Sequence, residues 1–395
     1  MRISEIRAIP VNVPYRAPTT MSAGVSAFST RTIVAVTTDT GLTGLGEASY
    51  GLAAGIVERD FAPAIIGLDP LDPATVRRHC LPDALDYGTP LLKLQRAAWG
   101  GLEIALWDLK GKAEALPLYR LLGGKVRERA LFGAYAYTDP DPASVVETMP
   151  RRAIDAIDMT SAAIFEFKVG VHPVETDIET VEAVSAALGG RARIAVDANM
   201  GMTVAAARRF LDAAGGLLEN FEEPVPGLAN MEILARASGV PVSTHCADME
   251  TMEHYPGISG IVPTLDAAGG VAAILGLADA CMESGRRLWI RSHAEAGIGW
   301  AAVVHLGAAL PALERPAQSL IDLIEDDLVL GEPWLVQDGG VIPPDCPGLG
   351  VEPDWPAIRR CHELYVRLGE QHAFKPPLHR PVTALSADGR APMAS

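Results

Sequence analysis

Between residues 165 and 293 a polar side chain repeatedly closes an apolar segment. Lys168 ends AAIFEFK, Asp197 ends RIAVD, Glu222 ends LLENFE, His245 follows VPVST and His293 ends RLWIRSH. The gaps are 29, 25, 23 and 48 residues, the last about two of the others. A (β/α)₈ barrel spends about 25 to 30 residues on each strand-plus-helix unit. The five positions therefore fall at the same end of successive strands, with one further strand (259–264) between His245 and His293. Catalytic groups of such barrels converge at that end. A lysine, two carboxylates and two histidines facing one cavity predict a metal site flanked by acid/base groups.

The rest of the chain fits an α/β fold of this kind. LFGAYAY, AAIFEFK, RIAVD, LLENFE, VPVST, SGIVPT, RLWIRSH and a weaker QSLIDL give about eight strands. They alternate with amphipathic helices such as ETDIETVEAVSAALGG and TVAAARRFLDAAGG, several ending in glycine as a C-cap does. Near-continuous apolar strands alternating with helices predict a parallel sheet, here closed into a barrel of seven or eight units. Residues 1–50 read as antiparallel: RISEIRAIPVNVPY alternates, and RTIVAVTTDTGLTGLGEAS gives a strand, a DTG turn and a second strand. Between them YRAPTTMSAGVSAFST is small and polar, and predicts a loop about 15 residues long. Residues 55–125 read as helices, and a final helix is expected in DWPAIRRCHELYVRLG. The tail KPPLHRPVTALSADGRAPMAS reads as loosely ordered. A net charge of −16 argues against a nucleic-acid surface, which wants clustered Lys and Arg. Five scattered cysteines without CxxC spacing fit a reducing cytoplasm, and no apolar run approaches the ~18 residues of a membrane span.

At the strand ends, Asp197 and Glu222 are carboxylates that repel unless a cation or proton joins them. Mg²⁺ takes oxygen ligands and suits the pair; His245 as a third ligand fits Mn²⁺ or another divalent ion better. The competing reading makes one of Glu222 and Glu223 an ion-pair partner and His245 a core histidine. In FEFK, Phe165 and Phe167 share one face of the strand while Glu166 and Lys168 share the other, which points into the barrel. Lys168 is then either a general base or half of a structural ion pair with Glu166. His293 lies across the barrel and serves as base or acid near neutral pH. Asn199, two residues after Asp197, also points inward toward substrate or metal-bound water. Asp322 or Glu325 ends the eighth strand and is placed for the substrate, and Arg16 and Tyr50 are expected to reach it from the N-terminal loops.

Several ordered motifs resemble one family. ALWDLKGKAEALPLYRLLGG (105–124), VDAN (196–199), FEEP (221–224) and PPDCPGLGVEPD (343–354) resemble the enolase superfamily, in its mandelate racemase and muconate lactonizing enzyme branch. The resemblance implies a TIM-type barrel over 128–329, under an α+β capping domain formed by 1–127 and the returning segment 330–395. Tyr15–Ala27 and Ser49–Gly55 would close the barrel mouth. It implies Mg²⁺, abstraction of the proton α to a carboxylate, a homo-oligomer (dimer to octamer) and a small carboxylate substrate; the charge and apolar pattern given above are what speak against a nucleic-acid or membrane partner. By position Asp197 and Glu222 match metal ligands, His245 falls where the third usually stands, Lys168 matches the second lysine of KxK, and His293 the histidine base. Three departures stand out. Glu166 replaces the first lysine of KxK, and Thr264 replaces the aspartate that orients the histidine, with Asp266 two residues on as a substitute. His245 leaves the site one negative charge short. The expected activity is dehydration of an acid sugar; racemisation or epimerisation of a hydroxy or amino carboxylate is the enzymatic alternative. A catalytically impaired barrel with a binding role is the alternative of another class.

Overall fold

The computed structural model describes residues 1–81, 90–331 and 334–371, so the tail from Lys375 onward lies outside the described residues. Three strands, β1 (Ile3–Met21), β2 (Gly24–Thr38) and β3 (Thr43–Ser49), form an antiparallel sheet. The expected 15-residue loop is instead the far half of the β1–β2 hairpin, paired through Thr19–Ser26, Thr20–Val25 and Met21–Gly24. Pro14 and Pro18 disguise it: proline cannot donate to a ladder, and the register shifts between Pro14 and Thr19. The hairpin reaches the barrel, where the Ser22 hydroxyl donates to the Ala198 carbonyl at 2.7 Å and Thr20 bridges Thr138.

The Pro90–Glu114 helix packs on β3. Glycines permit the contact: a Cβ on Gly46 would stand 2.0 Å from the Gly101 carbonyl oxygen, and one on Gly44 2.1 Å from that of Ala105. Glu103 of this helix ties the sheet to the barrel. Its carboxylate accepts from the Val271 and Ala272 amides, at the first turn of the Val271–Ser284 helix. The glycine pair Gly269–Gly270 thus delivers a helix N-terminus that the chain's own glutamate occupies.

The second sheet is parallel and follows chain order. It comprises β4 (Ala130–Ala136), β5 (Ile164–Lys168), β6 (Arg193–Asp197), β7 (Leu218–Glu222), β8 (Val242–Thr244), β9 (Gly260–Ile261), β10 (Arg287–Leu288) and β11 (Ala317–Gln318). β11 pairs with β4, and the Gln318 amide donates to the Ile290 carbonyl at 3.1 Å, which closes the barrel. A short strand, β12 (Gly340–Val341), adds antiparallel to β4. Helices fill the connections, with Thr203 and Asp141 capping N-termini and left-handed Gly189, Gly239 and Gly285 ending others. Phe165, Phe167, Val196 and Phe221 pack outward under these helices and are fully buried. After residue 341 the chain returns to the N-terminal sheet. The Trp355–Leu368 helix, capped by Asp354, lies on β1, and Asn12 donates to the Gly369 carbonyl at 3.0 Å. Among the described residues no helix is long and apolar enough to cross a membrane.

Candidate active site

Parallel pairing sets Lys168, Asp197 and Glu222 level at the tips of β5, β6 and β7. Side-chain alternation sends Glu166 to the same interior. Carboxylate oxygens of Glu166, Asp197 and Glu222 lie within 4.8 Å of one another, and all three residues are buried. Like charges this close and this dry resist ionisation. Burial first, and the neighbouring carboxylate second, push both Glu166 and Glu222 well above the usual range. Asp197 goes the other way: burial opposes its charge, but the Lys168 ammonium, ion-paired to it, holds it below the ordinary value. Three oxygen donors short of positive charge fit a hard divalent cation such as Mg²⁺.

His245 joins this group through Glu222. Arg291, which can only donate, places NH1 3.0 Å from the His245 Nδ1 and 3.2 Å from Nε2, while Nε2 is 2.8 Å from Glu222 Oε1. Arg291 donates toward the ring, and a single proton is shared between Nε2 and Glu222 Oε1. Burial, followed by Arg291, lowers the imidazole to about 3, so it is neutral at ordinary pH. Carboxylate oxygens of Glu166 converge with those of Asp197 and Glu222, and His245 stands beside them through its contact with Glu222. Glu223 has a separate task. At φ 44° it turns back to accept from the His245 amide and the Thr244 hydroxyl, both at 2.7 Å.

A cavity of about 230 Å³ opens beside the carboxylates, lined by Lys168, Asn199, His245, Arg291 and His293, with Tyr50 and the hairpin's Met21 and Phe28 on its rim. Lys168 stands 5.6 Å from the Tyr135 ring and 5.9 Å from that of Tyr137. Asn199 donates its amide and side-chain nitrogen to Asp197 at 2.7 and 3.0 Å; its buried Oδ1 has no hydrogen-bond partner among the described residues. Glu166 meets the Gln318 amide, and Arg315 stands 3.6 Å away. The same Gln318 nitrogen donates to Glu222 at 2.9 Å. The glutamate in place of a KxK lysine has thus found both a cation and an amide.

The remaining expectations divide. Tyr50 lines the cavity, its ring edge-on to His293 at 5.8 Å. Thr264 is buried at the start of a short helical turn and does not line the cavity. Asp266 Oδ2 accepts from the Ser49 amide and its buried Oδ1 has no hydrogen-bond partner among the described residues, while the Ser49 hydroxyl meets His293 Nδ1 at 3.1 Å. Asp322 and Glu325 are exposed and lie beyond the eighth strand, whose tip is Gln318. QSLIDL misled because its apolar residues follow the strand: Ile321–Leu323 is a 3₁₀ turn. Arg16 is exposed, donates to the Asp322 carbonyl at 3.0 Å and stands outside the cavity. Sequence reading missed Tyr135, Tyr137, Arg291 and Gln318, and places Ser49 only at the start of a loop closing the barrel mouth, with no part beside His293. The alternation AYAY already puts both tyrosines on one strand face, and Arg291 precedes His293 by two; nothing local flags Ser49 or Gln318.

Residues 3–123 match the mandelate racemase / muconate lactonizing enzyme N-terminal domain, and residues 148–357 match the enolase C-terminal domain-like family. A probable glucarate dehydratase of Streptomyces coelicolor is 29% identical over 377 residues, 86% of each chain. Muconate cycloisomerase 1-1 of Acinetobacter lwoffii is 26% identical, covering 91% of this chain and 96% of its own. Among solved structures, an enolase from Thermobispora bispora complexed with magnesium and formate is 29% identical, with a TM-score of 0.84 over 95% of this chain and 96% of that one. An enolase from Mycobacterium smegmatis complexed with tartrate is 27% identical, with a TM-score of 0.85 over 94% of both chains. The chain belongs to the mandelate racemase/muconate lactonizing enzyme branch of the enolase superfamily.

Proposed function

We propose that this protein is a divalent-metal-dependent dehydratase that removes the proton α to the carboxylate of an acid sugar and expels the β-hydroxyl. The observation that carries the reading is one small cavity shared by two proton-transfer groups, Lys168 and His293, beside three converging carboxylates. Asp197, Glu222 and Glu166 would hold the ion, with Mg²⁺ favoured by an all-oxygen set and Mn²⁺ accommodated by the same donors. When bound, the ion supplies fixed positive charge against the negative charge that develops on the substrate carboxylate.

The side chains do the rest. Arg291 and the open Asn199 Oδ1 are placed for the substrate's carboxylate and a hydroxyl. Lys168 Nζ, once its ammonium has released a proton to solvent, takes the α-proton as a neutral amine, the C–H electrons become the new C=C bond, and the β C–O bond breaks. His293 protonates the departing hydroxyl, which leaves as water, and the resulting enol tautomerises to a 2-keto-3-deoxy acid. A volume of about 230 Å³ suits one small polyhydroxy acid better than a drug-sized ligand. Relatives named dehydratases and a neighbour crystallised with tartrate, itself a hydroxy acid, support this substrate class.

The rival within enzymes is racemisation or epimerisation, for which Lys168 and His293 would both act as bases. Incubating the protein and Mg²⁺ with a panel of acid sugars separates the two. The proposal expects a 2-keto-3-deoxy product from at least one; a C2 epimer with no keto acid overturns it.

A further inference from the structure

We propose that Ser49, with its oxygen engaged by buried Arg31, fixes His293 in the tautomer that carries its proton on Nε2, so that His293 meets substrate as a proton donor. The inference rests on the dehydratase reading for its consequence, though not for its geometry. Ser49 closes β3 and is 1% exposed. Its Oγ lies 2.9 Å from Arg31 NH1 and 3.1 Å from His293 Nδ1. Arg31 can only donate, so it takes one lone pair of the hydroxyl oxygen. It cannot swing away, because Nε pairs with Glu47 at 2.7 Å and both side chains are buried. Glu47 is fixed in turn by the Ala296 and Gly299 amides at 2.9 and 2.8 Å.

The hydroxyl hydrogen then has one acceptor among the described residues, His293 Nδ1. If Nδ1 carried the proton and donated to Oγ, the hydroxyl hydrogen would be buried without a partner, facing nothing it can bond, which is costly. Donation from Ser49 to Nδ1 satisfies all three groups and leaves the ring proton on Nε2. The backbone holds the imidazole in place for this: the His293 amide donates to Glu295 Oε1 at 2.9 Å, and Arg31 NH1 also reaches the His293 carbonyl at 3.4 Å. Family relatives are expected to orient this histidine with a carboxylate, which favours the opposite tautomer; here Thr264 supplies no charge and Asp266 stops at the Ser49 amide. A histidine held as a donor serves loss of a hydroxyl and not a second proton abstraction, so the proton acceptor is Lys168 alone. Ser49 and Arg31 are positioning residues.

The test reads the tautomer directly. Full-length protein labelled with ¹⁵N-histidine is recorded at pH 8, with His293 assigned by comparison with His293→Asn. The expected spectrum shows an unprotonated Nδ1 and a protonated Nε2. Ser49→Ala should shift the ring toward a mixture and lower kcat on the acid sugar about tenfold or more with KM little changed; Ser49→Thr, which keeps the hydroxyl, should recover both. Wild-type His293 with a protonated Nδ1, or doubly protonated, overturns the proposal, and so does Ser49→Ala with an unchanged tautomer. If Ser49→Ala fails to fold, the wild-type spectrum still decides. Absence of turnover on every acid sugar would refute the dehydratase reading while leaving the tautomer result standing.

Discussion

Replacing Glu166 by Gln tests whether the acidic corner of the site belongs to β5. Three oxygens within 4.8 Å of one another place a central ion at most about 2.8 Å from each, and the widest spacing is used for the magnitudes that follow. At an effective dielectric constant of about 20, one carboxylate attracts a double charge at that distance by about 12 kcal/mol, and its repulsion from the other two carboxylates totals about 7 kcal/mol. Holding the buried Glu166 charge out of water takes back part of this difference of about 5 kcal/mol. About 3 to 4 kcal/mol should survive, a loss of roughly 100- to 1000-fold in affinity. Titration calorimetry with Mn²⁺ and Mg²⁺ measures it. His245→Ala is the control: a residue that only orients Glu222 should cost about 10- to 100-fold, as partners of metal ligands usually do. If Glu166→Gln binds the ion like wild type while His245→Ala abolishes binding, the trio is misassigned and His245 is the ligand.

Three further outcomes are expected. Lys168→Ala should bind Mn²⁺ more tightly than wild type, about tenfold, because the ammonium no longer competes for Asp197, while turnover is lost; weaker binding would contradict the ion pair's role. Gly46→Ala should cost about 2 kcal/mol or more in urea unfolding, since its Cβ would meet the backbone Gly101 carbonyl oxygen at 2.0 Å; a neutral result would mean that the helix sits farther from β3. Glu103 is raised to about 7 by burial, against the pull of its amide and indole donors. A carboxyl whose folded value lies above its unfolded one stabilises fully below about pH 4.5 and loses that contribution as pH rises through 7. Unfolding free energy should therefore fall between pH 6 and 8 by about 1 kcal/mol more in wild type than in Glu103→Gln, and equal slopes would refute the assignment.

What could be read from the chain depended on how far the physics acts along it. Strand tips were legible because a parallel barrel repeats its polar residue at a near-constant interval, and Asp197 and Glu222 land in register beside Lys168 as that interval implies. Inward placement of Glu166 followed from alternation alone. Its meaning did not, because the carboxylate gained at β5 and the one lacking after β8 compensate each other only when β5 through β8 curve around one point. His245 takes a ligand's place by position, and nothing local shows that Arg291, on the far side of β9, also stands within reach of its ring nitrogens. The hairpin was hidden by Pro14 and Pro18, whose broken alternation hides a strand that pairs through a register shift. Ser49 was invisible for a different reason: it precedes His293 by 244 residues and belongs to the other sheet. Asp322 and Glu325 were chosen from an apolar run that lies just past the strand, a boundary error of the kind short strands invite.

The proposed reaction begins when a proton leaves the carbon next to a carboxylate. Proton NMR of a turned-over acid sugar in D₂O with Mg²⁺ follows that hydrogen directly. Loss of the C2 signal in step with appearance of the 2-keto-3-deoxy acid, with both abolished in Lys168→Ala, is the predicted result. A product that retains the original C2 hydrogen, or undiminished conversion by Lys168→Ala, would contradict it.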